Sequence, residues 1–284
     1  GELITATSAE VDLRRQAETE EFVADSRPDV VIVAAAKVGG IHANRSAQGE
    51  FLYDNLMIAS NVVDAARSGG VERTVILGSS CIYPREAAQP MAETALLTGP
   101  LEPTNEGYAI SKIAALELAK MYRRQYGMSA ISLMPTNLYG PNDNYNLETS
   151  HVLPALLRKI HDAKVSGAST VTIWGSGRPQ REFLHVDDLA DAVVFALTSY
   201  DGESHLNVGT GTDISIAELA EVIADVVGWD GEFIYDASMP DGTPRKLLDV
   251  SLLRDLGWSA RIPLREGIAM TYAGVNAAGG PLEA

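Results

Sequence analysis

The sequence has a single cysteine, few aromatic residues and fewer basic than acidic side chains. One cysteine, Cys81, cannot form an internal disulfide, so a disulfide-stapled fold is excluded and a reducing, cytoplasmic location is expected. No apolar run approaches the ~20 residues that a membrane-spanning helix needs, and no signal peptide is recognised. The formal net charge of −16, with no basic stripe, argues against nucleic-acid binding. These absences favour an enzyme acting on a small molecule; an anionic ligand would need a local cluster of cations.

A glycine-rich dinucleotide loop is also missing. No G-x-G-x-x-G pattern follows a first strand, and Val38-Gly39-Gly40 comes after a later one. Residues 3–7 resemble the second strand of such a sheet, so we expect a first β-α unit of roughly thirty residues to be absent from this chain. Residues 5–8 offer no acid of the kind that selects NAD, and their small polar side chains favour NADPH.

What the sequence contains is an alternation of strand-like and helical segments. The predicted strands are residues 29–36, 73–79, 130–135 and 182–186, the first a continuous apolar run typical of a parallel strand buried on both faces. The predicted helices are residues 51–68, 108–126 and 187–197. Glycines follow the first two helices and are good stop signals. This order predicts an α/β fold with a Rossmann-like, doubly wound parallel sheet.

The C-terminal part changes character. Ser215-Ile-Ala-Glu218 is a capping box that predicts a helix running to about Gly228, followed by short strands and turns. We expect a dinucleotide-binding domain from residues 1–145 plus about 176–200. A smaller mixed α/β substrate domain, from about 146–175 plus 201–284, is expected to lie over the carboxyl ends of the sheet, where ligands of open α/β folds bind.

Tyr108-Ala-Ile-Ser-Lys112 places a phenol and an ammonium group on one helix face, about a turn apart. With a pKa of ~10, a tyrosine is a poor acid or base at neutral pH, and a nearby lysine cation favours its phenolate. The pattern alone is weak evidence. It becomes much more specific downstream of a strand that ends in Ser79-Ser80.

Longer motifs accompany this pattern. They are AAAKVGGI (34–41), LGSSCIYP (77–84), EPTNEGYAISK (102–112), MPTNLYGP (134–141), WGSG (174–177), REFLHVDD (181–188) and PDGTPRKLLD (240–249). From about residue 11 to residue 272 the chain resembles the extended short-chain dehydrogenase/reductase family. Within that family it is similar to the bifunctional epimerase/reductases of GDP-4-keto-6-deoxy-D-mannose. The resemblance implies an NADPH-dependent enzyme that epimerises C3 and C5 and reduces the 4-ketone, yielding GDP-L-fucose.

The resemblance also implies catalytic roles. Ser79 would hydrogen-bond the 4-keto oxygen, Tyr108 would protonate it, and Lys112 would hold the nicotinamide ribose and tune Tyr108. Cys81 and His151 would move protons on opposite faces of the sugar, because a thiol and an imidazole suit that work at neutral pH. Taken without the resemblance, His151 is better explained as a helix-start histidine making a backbone hydrogen bond, and His185 as a structural residue.

Two ligand sites follow from the same resemblance. The implied substrate contacts are Lys159, Trp174, Arg181 and Asp241, with Arg245 and Lys246 as possible additions to a cationic patch. The implied cofactor contacts are Ser8, Leu77, Gly78, Ser80, Lys112, Pro135, Thr136, Asn137, Leu138 and His151. Ser8 stands where related enzymes commonly have arginine, and Trp174 is equally well explained as a core residue between domains. No metal site is predicted.

Three alternatives stay open. A 4,6-dehydratase would show an Asp-Glu pair in place of Cys81-Ile82, and a simple 4-epimerase has no need for Cys81 with His151. A non-catalytic redox-sensing protein would explain the absent glycine loop but not the intact set of Ser79, Tyr108 and Lys112. Related enzymes form homodimers through a four-helix interface, and the helices at 51–68 and 108–126 have apolar residues to spare for one.

Overall fold

Four parallel strands form the central sheet. The computed structural model describes residues 1–239 and 241–277, and in it strands β1 (Val30–Val33), β2 (Arg73–Leu77), β3 (Ala130–Pro135) and β7 (Leu206–Val208) lie side by side in the order β1-β2-β3-β7. The pairs Val33↔Ile76 and Leu77↔Leu133 set the register. Apolar, largely β-branched runs favour strands at these places, because such side chains pack well on a pleated surface.

Helices cover both faces of this sheet. On one face α1 (Gln16–Ser26), α3 (Gln48–Ser68) and α4 (Glu106–Tyr126) pack through a core cluster that includes Val63, Ala66 and Ala115. On the other face α6 (Val186–Ser199) packs through Leu189 and Ala192. This arrangement confirms the predicted doubly wound sheet and three of its helices. Each of the three begins one to three residues before the predicted start.

Two expectations about the N-terminal part are wrong. Residues 3–7 form no strand, and Leu3 and Ile4 are exposed, because no neighbouring strand in the described part of the chain pairs with them. Strand β1 is not buried on both faces: Val30 and Ile32 are 40% and 45% exposed. It lies at the edge of the sheet, and the helices beside it cover mainly the face that carries Val33.

A second region is built around a different core. It contains α2 (Ile41–Ser46) at its border, β4 (Asn137–Tyr139), α5 (Val152–Ser166), β5 (Thr170–Trp174), β6 (Gln180–His185), β8 (Asp213–Ser215), α7 (Ile216–Val227), β9 (Glu232–Asp236), β10 (Arg245–Lys246) and α9 (Leu264–Ala277). Leu157, Ile160 and Ile223 are among the fully buried residues of its core. Helix α8 (Ser251–Asp255) packs against the central sheet instead, because its buried Leu253 lies in the core cluster that includes Leu206 of β7. The domain boundaries given above stay a prediction.

Local signals in this region are confirmed. Ser215 and Glu218 form both hydrogen bonds of the capping box, and α7 ends before Gly228, whose φ of +75° is the left-handed conformation that glycine adopts without strain. His185 is buried and caps α6 by accepting a hydrogen bond from the backbone of Asp187, which confirms its structural role. Among the described residues, no helix is long and apolar enough to cross a membrane.

Candidate active site

The end of β2 carries Ser79 and Cys81 in one tight turn. Residues Ser80–Ile82 form a short 3₁₀ helix that Ser79 caps, its Oγ accepting a hydrogen bond from the Cys81 backbone at 3.2 Å. The Met134 side chain packs over Gly78, where a side chain at residue 78 would displace it. The turn therefore presents a hydroxyl and a thiol at the carboxyl end of the sheet.

Helix α4 holds Tyr108 and Lys112 one turn apart, as predicted. The Lys112 ammonium donates to the Leu77 carbonyl at 3.0 Å and lies 5.7 Å from the centre of the Tyr108 ring. Burial lowers the pKa of Lys112 to about 8. Burial and the nearby Cys81 raise the pKa of Tyr108, and a hydrogen bond with Ser79 offsets this only in part.

The expectation that Lys112 lowers the pKa of Tyr108 is therefore wrong for this arrangement. The ammonium is directed at a backbone carbonyl, and desolvation of the phenol dominates its pKa. Tyr108 is consequently held in its neutral form. A neutral phenol suits the donation of a proton to a ketone that is being reduced.

The hydrogen-bond donors of Lys112 indicate whether the site fits a nicotinamide cofactor. An ammonium group has three donors, and the described residues offer it one acceptor, the Leu77 carbonyl. The remaining N–H groups of a buried cation can bind ribose hydroxyls. The donor set at this strand end fits the cofactor.

The other implied cofactor residues are distributed unevenly. Pro135 and Leu138 lie at the carboxyl end of β3 and in β4, and Ser80 is buried beside Cys81. Thr136 and Asn137 lie there too, but both side chains donate to the Glu182 carbonyl and so tie β4 to β6. Ser8 lies in an exposed turn, and no hydrogen bond among the described residues links it to the strand ends.

Cys81 lies between two donors. The Asn105 Nδ2 is 3.2 Å from its sulfur, and the Lys246 Nζ is 3.4 Å away. Burial raises the pKa of Cys81, but the charge of Lys246 and hydrogen bonds from Ser79, Lys246 and Asn105 outweigh it, so the pKa is lowered overall. The thiolate is the more reactive form, and this environment favours it.

The contact of Lys246 with Cys81 is the feature of the site that the sequence did not reveal. Strand β10 pairs with β6 so that Lys246 lies opposite Arg181. The backbone of the next residues is fixed by Gln89, which accepts from Leu247 at 2.8 Å, and by buried Glu182, which accepts from Leu248 at 3.0 Å. Lys246 therefore faces the thiol.

Arg245, the other cation suggested for the substrate patch, does not fit that role. Its guanidinium binds Asp213 through two hydrogen bonds of 2.5 and 3.1 Å. The carboxylate offsets the charge of Arg245 and takes two of its five N–H donors. Arg245 thus contacts Asp213 and Lys246 contacts Cys81, because successive side chains alternate between the two faces of a strand.

His151 is the N-cap residue of α5. Its backbone carbonyl accepts from Ala155, while its side chain makes no capping hydrogen bond, so the alternative of a ring bonded to the helix backbone is wrong. Desolvation lowers the pKa of His151; Lys246 lowers it further, and Asp143 opposes the shift. A neutral imidazole thus lies within electrostatic reach of the lysine that contacts Cys81.

The remaining predicted substrate residues, here called the rim, are Arg181, Asp241, Lys159 and Trp174. Arg181 has its pKa lowered by burial, and no carboxylate in residues 1–239 and 241–277 forms an ion pair with it. Asp241 accepts from the backbone and hydroxyl of Ser176 at 2.6 and 2.8 Å, which closes the turn after Trp174. Lys159 lies 4.8 Å from the centre of the Trp174 ring. Trp174 is 52% exposed, so the alternative of a core residue is wrong.

Comparison with known proteins agrees with a doubly wound α/β sheet. Residues 2–209 match the model of the NAD dependent epimerase/dehydratase family. The chain belongs to this family. The predicted family and the predicted α/β class are thereby confirmed.

Within the NAD dependent epimerase/dehydratase family the chain is similar to two curated relatives. GDP-L-fucose synthase 1 of Arabidopsis thaliana is 56% identical over 270 residues, which is 95% of this chain and 84% of that protein. GDP-L-fucose synthase of Escherichia coli (strain K12) is 52% identical over 280 residues, 95% of this chain and 87% of that protein. A solved GDP-L-fucose synthetase from Naegleria fowleri, bound to NADP, superposes with a TM-score of 0.90 at 28% identity, covering 99% and 86% of the two chains.

Proposed function

We propose that this chain converts GDP-4-keto-6-deoxy-D-mannose to GDP-L-fucose, by inverting C3 and C5 and then reducing the 4-ketone with NADPH. GDP-L-fucose synthases that are 52% and 56% identical support the bifunctional epimerase/reductase role. One observation carries the proposal: Cys81, paired with Lys246, lies in the same strand-end turn as Ser79. A simple reductase needs the hydroxyl but has no use for an activated thiol beside it.

In the epimerisation, Cys81 and His151 act on the carbons next to the ketone. One group takes a proton, the electron pair of the broken C–H bond moves into an enolate, and the other group returns a proton to the opposite face. The lowered pKa values of both groups keep their basic forms available near neutral pH. The enolate oxygen is stabilised by the Ser79 hydroxyl and the neutral Tyr108 phenol.

In the reduction, the same two donors serve the same oxygen. When bound, NADPH supplies the hydride for C4. Tyr108, whose pKa is raised by burial, donates its proton to the oxygen as the C–O bond becomes single. Lys112 orients the ribose through the donors that Leu77 leaves free. One oxyanion site therefore serves both half-reactions.

The prediction of NADPH is confirmed by the GDP-L-fucose synthetase of Naegleria fowleri, a structural neighbour that was solved with NADP bound. The absence of an acid in residues 5–8 agrees with it. We assign the nicotinamide half to the strand-end residues, namely Leu77, Gly78, Ser80, Pro135, Thr136, Asn137 and Leu138. Ser8 is assigned to the adenosine half.

The GDP half is assigned to the rim. Arg181 and Lys159 supply the positive charge that a diphosphate needs in a protein of net charge −16. The exposed ring of Trp174 offers a stacking surface, and Asp241 keeps that turn in place by binding Ser176.

We further propose a cytoplasmic homodimer. Helices α3 and α4 expose Tyr53, Ile110 and Met121, which are 58%, 41% and 44% exposed and would be buried in a four-helix interface. A catalytic free thiol favours a reducing compartment. Light scattering measures the molar mass in solution, which should be that of a dimer. A Met121→Lys variant should shift it towards the monomer, because the change puts a charge in the proposed interface.

Incubation with GDP-4-keto-6-deoxy-D-mannose and NADPH in deuterated buffer tests the activity. We expect NADPH oxidation, deuterium at C3 and C5, and GDP-L-fucose as the product identified by NMR. The UDP-linked 4-keto-6-deoxy sugar serves as the control for nucleotide recognition. Reduction without deuterium at C3 and C5 would contradict the epimerase assignment.

A further inference from the structure

We propose that Asn105 orients the Cys81 thiolate and lowers the cost of forming it, and that Gln48 holds Asn105 in place. Both are positioning residues, since neither acts on the substrate directly. The inference rests on the proposed function, because it concerns the epimerisation step alone. It stands on the contacts of the loop at residues 103–107, which joins the strand end to helix α4.

The Asn105 side chain does not form the hydrogen bond that an N-cap asparagine usually makes. Asparagine at an N-cap commonly accepts a hydrogen bond from the first turn of the helix, which stabilises the helix by about 1 kcal/mol. Asn105 is the N-cap residue of α4 and makes no such bond. Its Nδ2 donates to the Cys81 sulfur at 3.2 Å instead.

The other end of the amide supports the same interpretation. The Asn105 Oδ1 is buried and has no hydrogen-bond partner among residues 1–239 and 241–277. Among these residues, the sulfur is the only hydrogen-bond partner of this side chain. An N–H donor stabilises a thiolate more than a thiol, and Asn105 is accordingly among the causes that lower the pKa of Cys81.

Gln48 fixes the loop on both sides of Asn105. Its Nε2 donates to the Pro103 carbonyl at 3.0 Å, and its Oε1 accepts from the Gly107 backbone at 3.3 Å. Helices α3 and α4 are also closely packed here, since a Cβ on Gly107 would lie 2.5 Å from the Gln48 carbonyl oxygen. The first residue of α3 thus determines how far Asn105 lies from the thiol.

The two donors to Cys81 therefore differ in kind. Lys246 brings charge, whereas Asn105 brings a neutral N–H in a fixed direction. Asn105 forms no hydrogen bond with Ser79, Tyr108 or Lys112 in the described part of the chain. Loss of its amide is therefore expected to affect proton transfer at carbon and to spare reduction.

The test uses Asn105→Ala and Asn105→Asp. Cys81 is the chain's only cysteine, so the pH dependence of thiolate absorbance or of alkylation reports this thiol alone. We expect the thiol pKa to rise in Asn105→Ala, and to rise further in Asn105→Asp because a carboxylate disfavours a neighbouring thiolate. Deuterium wash-in near neutral pH falls by about tenfold in Asn105→Ala, corresponding to about one pKa unit. Reduction of the already epimerised 4-keto sugar stays within about twofold.

The matched control is Asn61→Ala, which removes a buried amide that donates to the Leu13 carbonyl at 3.0 Å, away from the site. It leaves the thiol pKa unchanged. Gln48→Ala raises the thiol pKa, as Asn105→Ala does, but by less. Gln48→Glu keeps the acceptor for the Gly107 N–H, so its thiol pKa should lie between those of Gln48→Ala and the unaltered protein.

An unchanged thiol pKa in Asn105→Ala would overturn the proposal, as would an equal fall of wash-in and reduction. The titration needs no turnover. If the unaltered protein showed no wash-in at all, the proposed function would fail while the thiol titration still decided the role of Asn105.

Discussion

The proposed reducing and epimerising halves of the site are built in different ways. Ser79, Tyr108 and Lys112 come from one strand end and the helix that follows it, and Lys112 reaches back to the carbonyl of Leu77, two residues before Ser79. Cys81 belongs to the same turn, but its charged partner, Lys246, is 165 residues away. The proposed reducing half is therefore local in sequence, whereas the proposed epimerising half needs a C-terminal strand to bring Lys246 to the thiol.

Burial acts in the same direction on Tyr108 and Cys81, but the groups that face them differ. Both Tyr108 and Cys81 are desolvated, which raises the pKa of an acid. Tyr108 has no counter-charge directed at it and remains a proton donor, whereas Lys246 and Asn105 bring the pKa of Cys81 down. Acid and base roles thus follow from what faces each group.

The largest effect is expected from Cys81→Ser. A serine hydroxyl has too high a pKa to take a proton from carbon, so deuterium wash-in at C3 and C5 should fall by about 10⁴. NADPH affinity, measured by fluorescence titration, should be nearly intact. Retained wash-in would remove Cys81 from the mechanism.

Tyr108→Phe should break the reducing half instead. Loss of the proton donor should slow NADPH oxidation by about 10³, while wash-in persists, since Ser79 still stabilises the enolate. Stopped-flow absorbance measures the first and NMR the second. If both fell together in a folded protein, the division between the halves would be wrong.

Lys246→Gln should change the pH dependence of deuterium wash-in, which measures the epimerising half alone. Without the cation the thiol pKa rises, so the ascending limb of the wash-in rate against pH should move to higher pH by about one unit, a roughly tenfold loss near neutral pH. At alkaline pH, where the thiolate forms regardless, the loss should shrink. Arg245→Gln is the matched control, because Arg245 binds Asp213 and not the thiol; a pH-independent loss in Lys246→Gln would contradict the electrostatic role.

The same contrast explains what sequence alone can predict. Tyr108 and Lys112 are fixed relative to each other by helical periodicity, and the capping box at Ser215 by local hydrogen bonds, so both were predictable. The contact of Lys246 with Cys81 was not predicted, because it depends on the pairing of β10 with β6, a long-range register that no local pattern encodes. Edge exposure of β1 was missed for the same reason: an apolar run does not reveal how many neighbours a strand has.

The smallest effect is expected from Ser215→Ala, which tests whether stability and catalysis separate in the C-terminal part. The change removes the hydroxyl that accepts from Glu218, at a cost of about 1 kcal/mol in the free energy of unfolding. Urea denaturation measures it, with Ser166→Ala as a control at a helix end where the hydroxyl bonds only carbonyls of the preceding turn. Wash-in and reduction should both be unchanged at temperatures where the protein is folded, because Ser215 contacts neither half of the site. A selective loss of wash-in would mean that α7 controls the position of Lys246, and that the epimerising half depends on the whole C-terminal core and not only on β6 and β10.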